Sequence, residues 1–404
     1  MARVFKNDKC LMSKPQRKRI AYLIDGELGE RKGLVNTTLN RVKHLKAIAD
    51  YDVIVYSIQT YSGWLVRFLK KTPKHPRSKE VEVEGLTIKL WWNRFSILKY
   101  LLDTRLKMRL KGTRIAKRRA KQLSGYDLIS AHSLECDEIA RIAGEEYDIP
   151  YVASWYGSDV HTSPFRSEDI KRSTVEVMEH AALNFICSKD LMKKSDLLTT
   201  NAAKELLYNP LRDGLSRFTD SKRQSLREKY NVDGVKVVAF GGGLVAVKNP
   251  LVLPDIYSRI EQRYEGAVKF WIIGNGKLKN QIEQRADSLG LSIEFWGYVP
   301  DEVLPELLNC VDVLVLPSLN EGLPIITIEA LACGANVVGS NVGGIPEAIG
   351  ERNVFDLNAS FVSYIADRAV ELLNNAEEQP LSEVFLSERV AETENSRYQQ
   401  IMSR

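Results

Sequence analysis

The chain is poor in the residues that would staple it or sink it into a bilayer. Its five cysteines (Cys10, Cys136, Cys187, Cys310 and Cys333) are odd in number and widely spaced, with no Cys-x-x-Cys pair. That argues against a disulfide framework and a structural zinc site, and a reducing cytosol is the expected setting. No apolar run approaches the roughly 18 residues a membrane-spanning helix needs. The first residues are basic without a long apolar core, so residues 1–16 are expected to form a basic tail rather than a secretory signal. What is present is ordinary for a globular chain: 404 residues, 44% of them hydrophobic, enough for two or three domains.

Charge is uneven along the chain. Residues 1–200 carry 37 Lys and Arg against 24 Asp and Glu, whereas residues 201–404 carry 20 against 28. The two halves therefore face different partners. In each half, short apolar runs alternate with helical stretches, the pattern of a parallel sheet covered on both faces. The first set is Arg19 to Ile24, Val53 to Ile58, Asp127 to Ala131, Tyr151 to Trp155 and Leu183 to Cys187, with a hairpin over Val81 to Leu90 around Gly85. The second is Val235 to Phe240, Val268 to Ile273, Ile293 to Trp296, Val311 to Leu316 and Ala335 to Val338. We expect an α/β fold of two doubly wound domains, residues 17–210 and 211–381, with the boundary near Asn209 to Thr219. Ligands of such sheets sit beyond the carboxyl ends of the strands. The loops after Ile24, Trp155, Phe240, Ile273, Trp296 and Leu316 should then line a cleft, which brings Gly274 and Tyr298 into it.

The most informative stretch runs from Asn320 to Glu347. A buried strand enters a loop holding Glu321, Gly322 and Leu323. A helix then begins with Pro324 in its first turn, where a missing N–H costs nothing, and ends at Cys333 before Gly334. Eight residues at 1.5 Å rise put Glu321 and Glu329 roughly 12 Å apart, the reach of a sugar-diphosphate-ribose chain. The free N–H groups at the helix start would face the diphosphate. This segment, with Glu321, seven residues, Glu329, Gly334 and the pair Gly343-Gly344, resembles the signature of the retaining glycosyltransferases of family four (glycosyl transferases group 1). The resemblance implies the GT-B fold, two Rossmann-like domains facing each other across a cleft. It also implies that Glu321 contacts the donor sugar, that Glu329 holds the ribose hydroxyls, and that the last helix, residues 382–404, packs back on the first domain.

Other positions carry the same resemblance with departures. Gly33 opens a helix after the first strand, as in the family, but Lys32 stands where an adjacent glycine is usual. Tyr156-Gly157-Ser158-Asp159 resembles the family's His-Gly-x-Asp element, with Tyr156 in the histidine's place. Asp159 is expected to order the acceptor-side loop. His161 is read as a solvent-exposed loop histidine, and His132 as an acceptor-side or structural residue. Gly243 and Lys248 lie on the family's Gly-Arg-Leu-x-x-x-Lys element, whose two cations neutralise the leaving diphosphate; Lys248 is kept and Gly243 replaces the arginine. The expected catalytic set is Lys248, Glu321, Asp159 and Tyr156. The expected donor set is Gly33, Gly243, Lys248, Gly274, Tyr298, Glu321, Gly322, Leu323, Pro324 and Glu329.

Two patterns mislead. Gly241 to Ala246 fits a dinucleotide fingerprint, but the strand ending at Ile273 is followed by Gly274-Asn275-Gly276, without an acidic residue for a ribose. Asp50-Tyr51-Asp52 mimics a metal-binding Asp-x-Asp, yet its place before a buried strand reads as a solvated turn. No metal and no cofactor is expected beyond the nucleotide-diphosphate sugar as co-substrate.

From Arg94 to Lys121 there are eleven Lys and Arg and one acid, Asp103, preceded by Trp91 and Trp92. Two readings fit the stretch Trp91 to Lys121. One is attachment to an anionic membrane surface, on the inner face of the cell membrane; the other is a solvated helix whose apolar stripe packs on the first domain. Nucleic acid is not an expected partner. The expected function is retaining transfer of a sugar from a nucleotide-diphosphate donor to a glycan or lipid-linked acceptor, as in building cell-surface polysaccharide or lipopolysaccharide. A donor-binding partner with little turnover, or a nucleotide-sugar 2-epimerase, would share the architecture.

Overall fold

The computed structural model describes residues 17–26, 28, 33–61, 78–94, 113–375 and 377–404. The tail at 1–16, Lys32 and most of the basic stretch, residues 95–112, lie outside the described residues.

Two sheets are present. The first comprises β1 (Arg19–Asp25), β2 (Asp52–Tyr61), β3 (Glu80–Val83), β4 (Leu86–Arg94), β5 (Leu128–His132), β6 (Tyr151–Trp155), β7 (Leu183–Ile186) and β8 (Lys204–Leu206). Its order is β3-β4-β2-β1-β5-β6-β7-β8, parallel throughout except for the β3-β4 hairpin at the edge. The second comprises β9 (Lys236–Gly241), β10 (Val268–Ile273), β11 (Ile293–Gly297), β12 (Val313–Leu316), β13 (Asn336–Ser340) and β14 (Val354–Phe355), in the order β11-β10-β9-β12-β13-β14 and wholly parallel. Strand order reverses between β1 and β5 and again between β9 and β12. Each sheet thus has a crevice at the carboxyl ends of its central strands.

The central strands read as unbroken apolar runs because both faces are covered. Every residue of Ile20 to Ile24 and of Val313 to Leu316 is fully buried. The edge strands β8 and β14, three and two residues long, carry no such run and leave no periodic trace in the sequence.

The signature helix spans Ile325–Ala332. Pro324 is its N-cap, with φ −74° and ψ 112°, rather than a residue of its first turn. The Pro324 carbonyl accepts from the Thr327 N–H at 3.2 Å and the Thr327 hydroxyl at 2.6 Å. Gly334 takes φ +87°, the left-handed turn that closes the helix.

The last helix, Ser387–Met402, packs against the first, Gly33–Ile48, and its polar residues enter the first sheet's crevice. Glu394 accepts from Tyr22 Oη (2.8 Å) and Arg41 Nη2 (2.8 Å), and the Tyr398 hydroxyl donates to Ser130 Oγ (2.8 Å).

The surface proposed for a membrane is corrected at two residues. Trp91 is a core residue of β4, with its ring 4.6 Å from that of Tyr56. Arg119 is buried, donating to Asn93 at 2.8 Å and pairing with Glu135 at 3.4 Å. An apolar ring inside a parallel sheet and a buried, paired guanidinium cannot also touch lipid. Among the described residues no helix is long and apolar enough to cross a membrane.

Candidate functional site

Between the two sheets lies a cleft of about 570 Å³, lined by Tyr156, Lys248, Tyr298, Glu321, Leu323, Pro324 and Glu329, together with the loops holding Gly243 and Gly274. Residues read from separate loops thus meet in one place. Each glutamate of the signature is held by a cation. Lys248 Nζ donates to Glu321 Oε1 at 2.5 Å, and Ser318 Oγ donates to the same oxygen at 2.7 Å. Arg212 Nε donates to Glu329 Oε1 at 2.5 Å, and its Nη1 to Asp301 Oδ1 at 2.8 Å. Burial raises the Glu329 carboxyl above its ordinary range, and the Arg212 charge works against that rise.

The domains come into close contact at Gly322. A Cβ built there would lie 1.8 Å from the Tyr156 carbonyl oxygen and 3.1 Å from Gly157 Cα, so only glycine lets the two loops touch. The helix Ile325–Ala332 points its first turn at the cleft; the Thr327 N–H is taken by the Pro324 carbonyl, and those of Ile325 and Ile326 precede any carbonyl the helix could offer them.

On the first-domain side the placements differ from simple expectation. Tyr156 lines the cleft, but its hydroxyl turns away from it: His132 Nδ1 lies 2.6 Å away and Arg41 Nη1 donates at 3.1 Å. Burial pushes the pKa of this phenol up, while Arg41 opposes the rise. His132 reaches the cleft only through Tyr156. It is fully buried between the Ser130 hydroxyl (3.0 Å) and Tyr156, stacked on Tyr22, and burial and then Arg41 hold it well below the usual imidazole range. Asp159 does not line the cleft. Its carboxylate accepts from the N–H groups of Gly157 (2.7 Å) and Tyr156 (3.0 Å), which shapes the loop beneath the site. Gly33 begins the first helix, and from one turn further on Asn36 and Thr37 line the cleft. The Thr37 hydroxyl is buried and has no hydrogen-bond partner among the described residues.

His161 is corrected from an exposed loop residue to a half-buried one, with Nδ1 3.1 Å from Asn320 Nδ2 of the other domain. The close approach at Gly322 carries it inward. The Asp-x-Asp decoy sits on the surface, Asp50 pairing with Arg17 and Asp52 with Arg19. Among the described residues no cluster of His, Cys, Asp or Glu is placed to hold a metal.

Sequence reasoning missed Asn36, Thr37, Asn209, Arg212 and Asp301. Arg212 and Asn209 come from the stretch joining the two sheets, which has no periodicity to flag it. Asn36 and Thr37 could have been found by counting one helical turn past Gly33.

Residues 235–375 match the family Glycosyl transferases group 1. The second domain belongs to that family. The matched residues include Lys248, Glu321 and Glu329 of the cleft. Over 229 residues the chain is 26% identical to the putative teichuronic acid biosynthesis glycosyltransferase TuaC of Bacillus subtilis, covering 56% of each chain. Over 140 residues it is 34% identical to mannosylfructose-phosphate synthase of Agrobacterium fabrum, covering 32% of this chain and 31% of that one. The chain thus spans little more than half the length of TuaC. Among solved structures, HepE of Anabaena, in complex with UDP and glucose, matches with a TM-score of 0.66 and 18% identity over 96% of this chain and 98% of that one. Sucrose-phosphate synthase of Thermosynechococcus elongatus matches with a TM-score of 0.70 and 14% identity over 96% and 95%. These likenesses establish the GT-B fold for the whole chain.

Proposed function

We infer that the protein is a glycosyltransferase that moves a sugar from a nucleoside-diphosphate donor to a hydroxyl of a glycan or lipid-linked acceptor, without a metal and with retention at the anomeric carbon. The observation that carries this reading is the pairing of Lys248 with Glu321 and Arg212 with Glu329, one pair at the helix start and one a turn further on, in a cleft closed by the opposite domain. Two carboxylates separated by a helix N-terminus suit a molecule with hydroxyls at both ends and a pyrophosphate between. The exposed ring of Tyr298 offers a stacking face for a base. HepE is described with UDP and with UDP-glucose, which supports a nucleotide-sugar donor here.

In the reaction the bond from the anomeric carbon to the β-phosphate oxygen breaks and its electron pair leaves with the diphosphate. The acceptor oxygen bonds to the same face of the carbon, and its proton passes to the departing phosphate. Lys248 meets the developing charge. Tyr156 shapes the first-domain wall, with its hydroxyl held by His132 and Arg41, and Asp159 keeps the loop of Tyr156 and Gly157 in place. The likeness to TuaC, which is named for teichuronic acid biosynthesis, supports a cell-surface polysaccharide as the product class. Exposed Arg114, Lys117, Arg118 and Lys121 support contact with an anionic membrane surface on the inner face of the cell membrane.

A panel of nucleotide sugars, assayed for released nucleotide with and without glycan acceptors, tests the assignment. One donor should give acceptor-dependent release, and Glu329→Ala should lower kcat/KM for it at least 10-fold. Equal activity in that variant would remove the ribose assignment, and isomerised donor without acceptor would replace transfer by epimerisation.

A further inference from the structure

The cation that serves the second glutamate has a further use. We propose that Arg212, from the stretch joining the two sheets, is the second cation receiving the leaving diphosphate, alongside Lys248. The inference rests on the donor reading above and adds a residue to that site.

A departing nucleoside diphosphate gains negative charge as the anomeric bond opens, and fixed positive charge is what lowers the barrier. Among the described residues lining the cleft, the cationic side chains are Lys248 and Arg212. The loop after β9, Gly241 to Gly243, lines the same cleft and brings no side chain to it. Arg212 is well placed to act there. Its neighbour Asn209 is buried and donates from Nδ2 to the Leu323 carbonyl at 3.4 Å, which holds the joining stretch beside the start of the signature helix. Three residues on, the guanidinium lies against Glu329, one turn into that helix. The joining stretch therefore runs along the path between the two glutamates.

The guanidinium also has capacity to spare. It has five N–H donors, of which Nε serves Glu329 and one Nη1 hydrogen serves Asp301. Nη2 has no partner among the described residues, and the side chain keeps 18% of its surface open. A planar guanidinium fixed through Nε and Nη1 by two carboxylates is held in orientation and leaves Nη2 for a phosphate oxygen.

The test uses the full chain and the donor that the wild type turns over. Arg212→Ala should lower kcat about 100- to 1,000-fold, and by titration calorimetry it should lose most of the preference for the nucleoside diphosphate over the monophosphate. Placing a new cation in the glycine loop should restore part of both: the nearest atom to a Cβ built at Gly243 is Val245 Cγ2 at 3.9 Å, so Gly243→Arg has room. The double variant Arg212→Ala with Gly243→Arg should regain at least 10-fold in kcat. Arg212→Gln keeps an amide donor for Glu329 without charge and guards against misfolding of the alanine variant; it should show the same loss of kcat. Wild-type turnover in Arg212→Gln, or an unchanged diphosphate preference in both single variants, would overturn the proposal and leave Arg212 as an orienter of Glu329. A wild type that binds and releases no nucleoside diphosphate at all would overturn the donor reading first, and this inference with it.

Discussion

The two walls of the cleft are built from the same chemistry and put it to opposite use. In the first domain Arg41 and Glu394 form an ion pair whose side chains keep 3% and 0% of their surface, and among the described residues their other hydrogen-bond partners are the side chains of Tyr22, Ser154, Tyr156 and Tyr398. In the second domain Lys248 and Glu321 keep 25% and 10%, and Arg212 and Glu329 keep 18% and 5%. A sealed pair can only hold structure in place, because its bonding capacity is spent. A part-open pair can pass some of its hydrogen bonds to a ligand and take them back when the ligand leaves.

The comparison breaks most visibly if the sealed pair proves dispensable. Glu394→Ala leaves Arg41 charged and buried without its partner, and such a loss costs about 3–5 kcal/mol. Urea unfolding should show it. Glu321→Gln leaves Lys248 with a quarter of its side chain in water, so it should cost clearly less than Glu394→Ala. Equal losses at the two sites would mean that both walls are structural and that the openness of the second has no bearing on ligands.

This difference also explains what the sequence disclosed. The second-domain wall is local: Glu321, Glu329, Gly334 and the helix between them lie in one stretch, and their spacing sets their geometry. Lys248 follows a strand end at a readable offset. The strands of both sheets were legible because a parallel sheet buries unbroken apolar runs, whereas β8 and β14 are too short to make one. The first-domain wall is assembled from residues far apart in sequence. Tyr22, Arg41, Ser130, His132, Tyr156, Glu394 and Tyr398 meet only once the last helix has packed on the first. No periodicity encodes that meeting. The same holds for Arg212, whose function depends on where the stretch between the sheets happens to run.

A smaller effect sharpens the comparison through pH. His132 lies inside the sealed wall, between Ser130 Oγ, the Tyr156 hydroxyl, the Tyr22 ring and the Arg41 charge, and burial holds its imidazole neutral. An unfolded chain protonates this residue near pH 6.5. Below that pH the unfolded state therefore binds the extra proton and the folded state does not, so stability falls as pH falls. The slope reaches about 1.4 kcal/mol per pH unit for one proton. The difference in unfolding free energy between wild type and His132→Gln, followed from pH 7 to pH 5, should shrink on acidification with that slope. A difference that stays constant would mean that His132 takes up its proton in the folded state, and that the wall is open to water after all.

The smallest effect is expected where the two walls join. Glu347 belongs to the second domain, yet its carboxylate accepts from the Lys189 N–H at 2.8 Å and the Asp190 N–H at 3.3 Å, at the start of the first-domain helix Lys189–Asp196, and from the Tyr208 hydroxyl at 2.9 Å. A carboxylate at a helix N-terminus satisfies N–H groups that the helix cannot. Glu347 is part-exposed, so water can replace it, and Ser188 already caps the same helix through the Leu191 N–H. Glu347→Ala should therefore cost about 1 kcal/mol, the usual worth of a cap, read from the urea midpoint. Because the lost bonds cross from one domain to the other, small-angle scattering of the variant should show a larger radius of gyration, and the donor KM should rise while kcat holds. A loss above about 3 kcal/mol with an unchanged radius would place Glu347 among the sealed contacts. No loss and no expansion would leave the approach of Gly322 to Tyr156 and the apolar packing around it to hold the walls together.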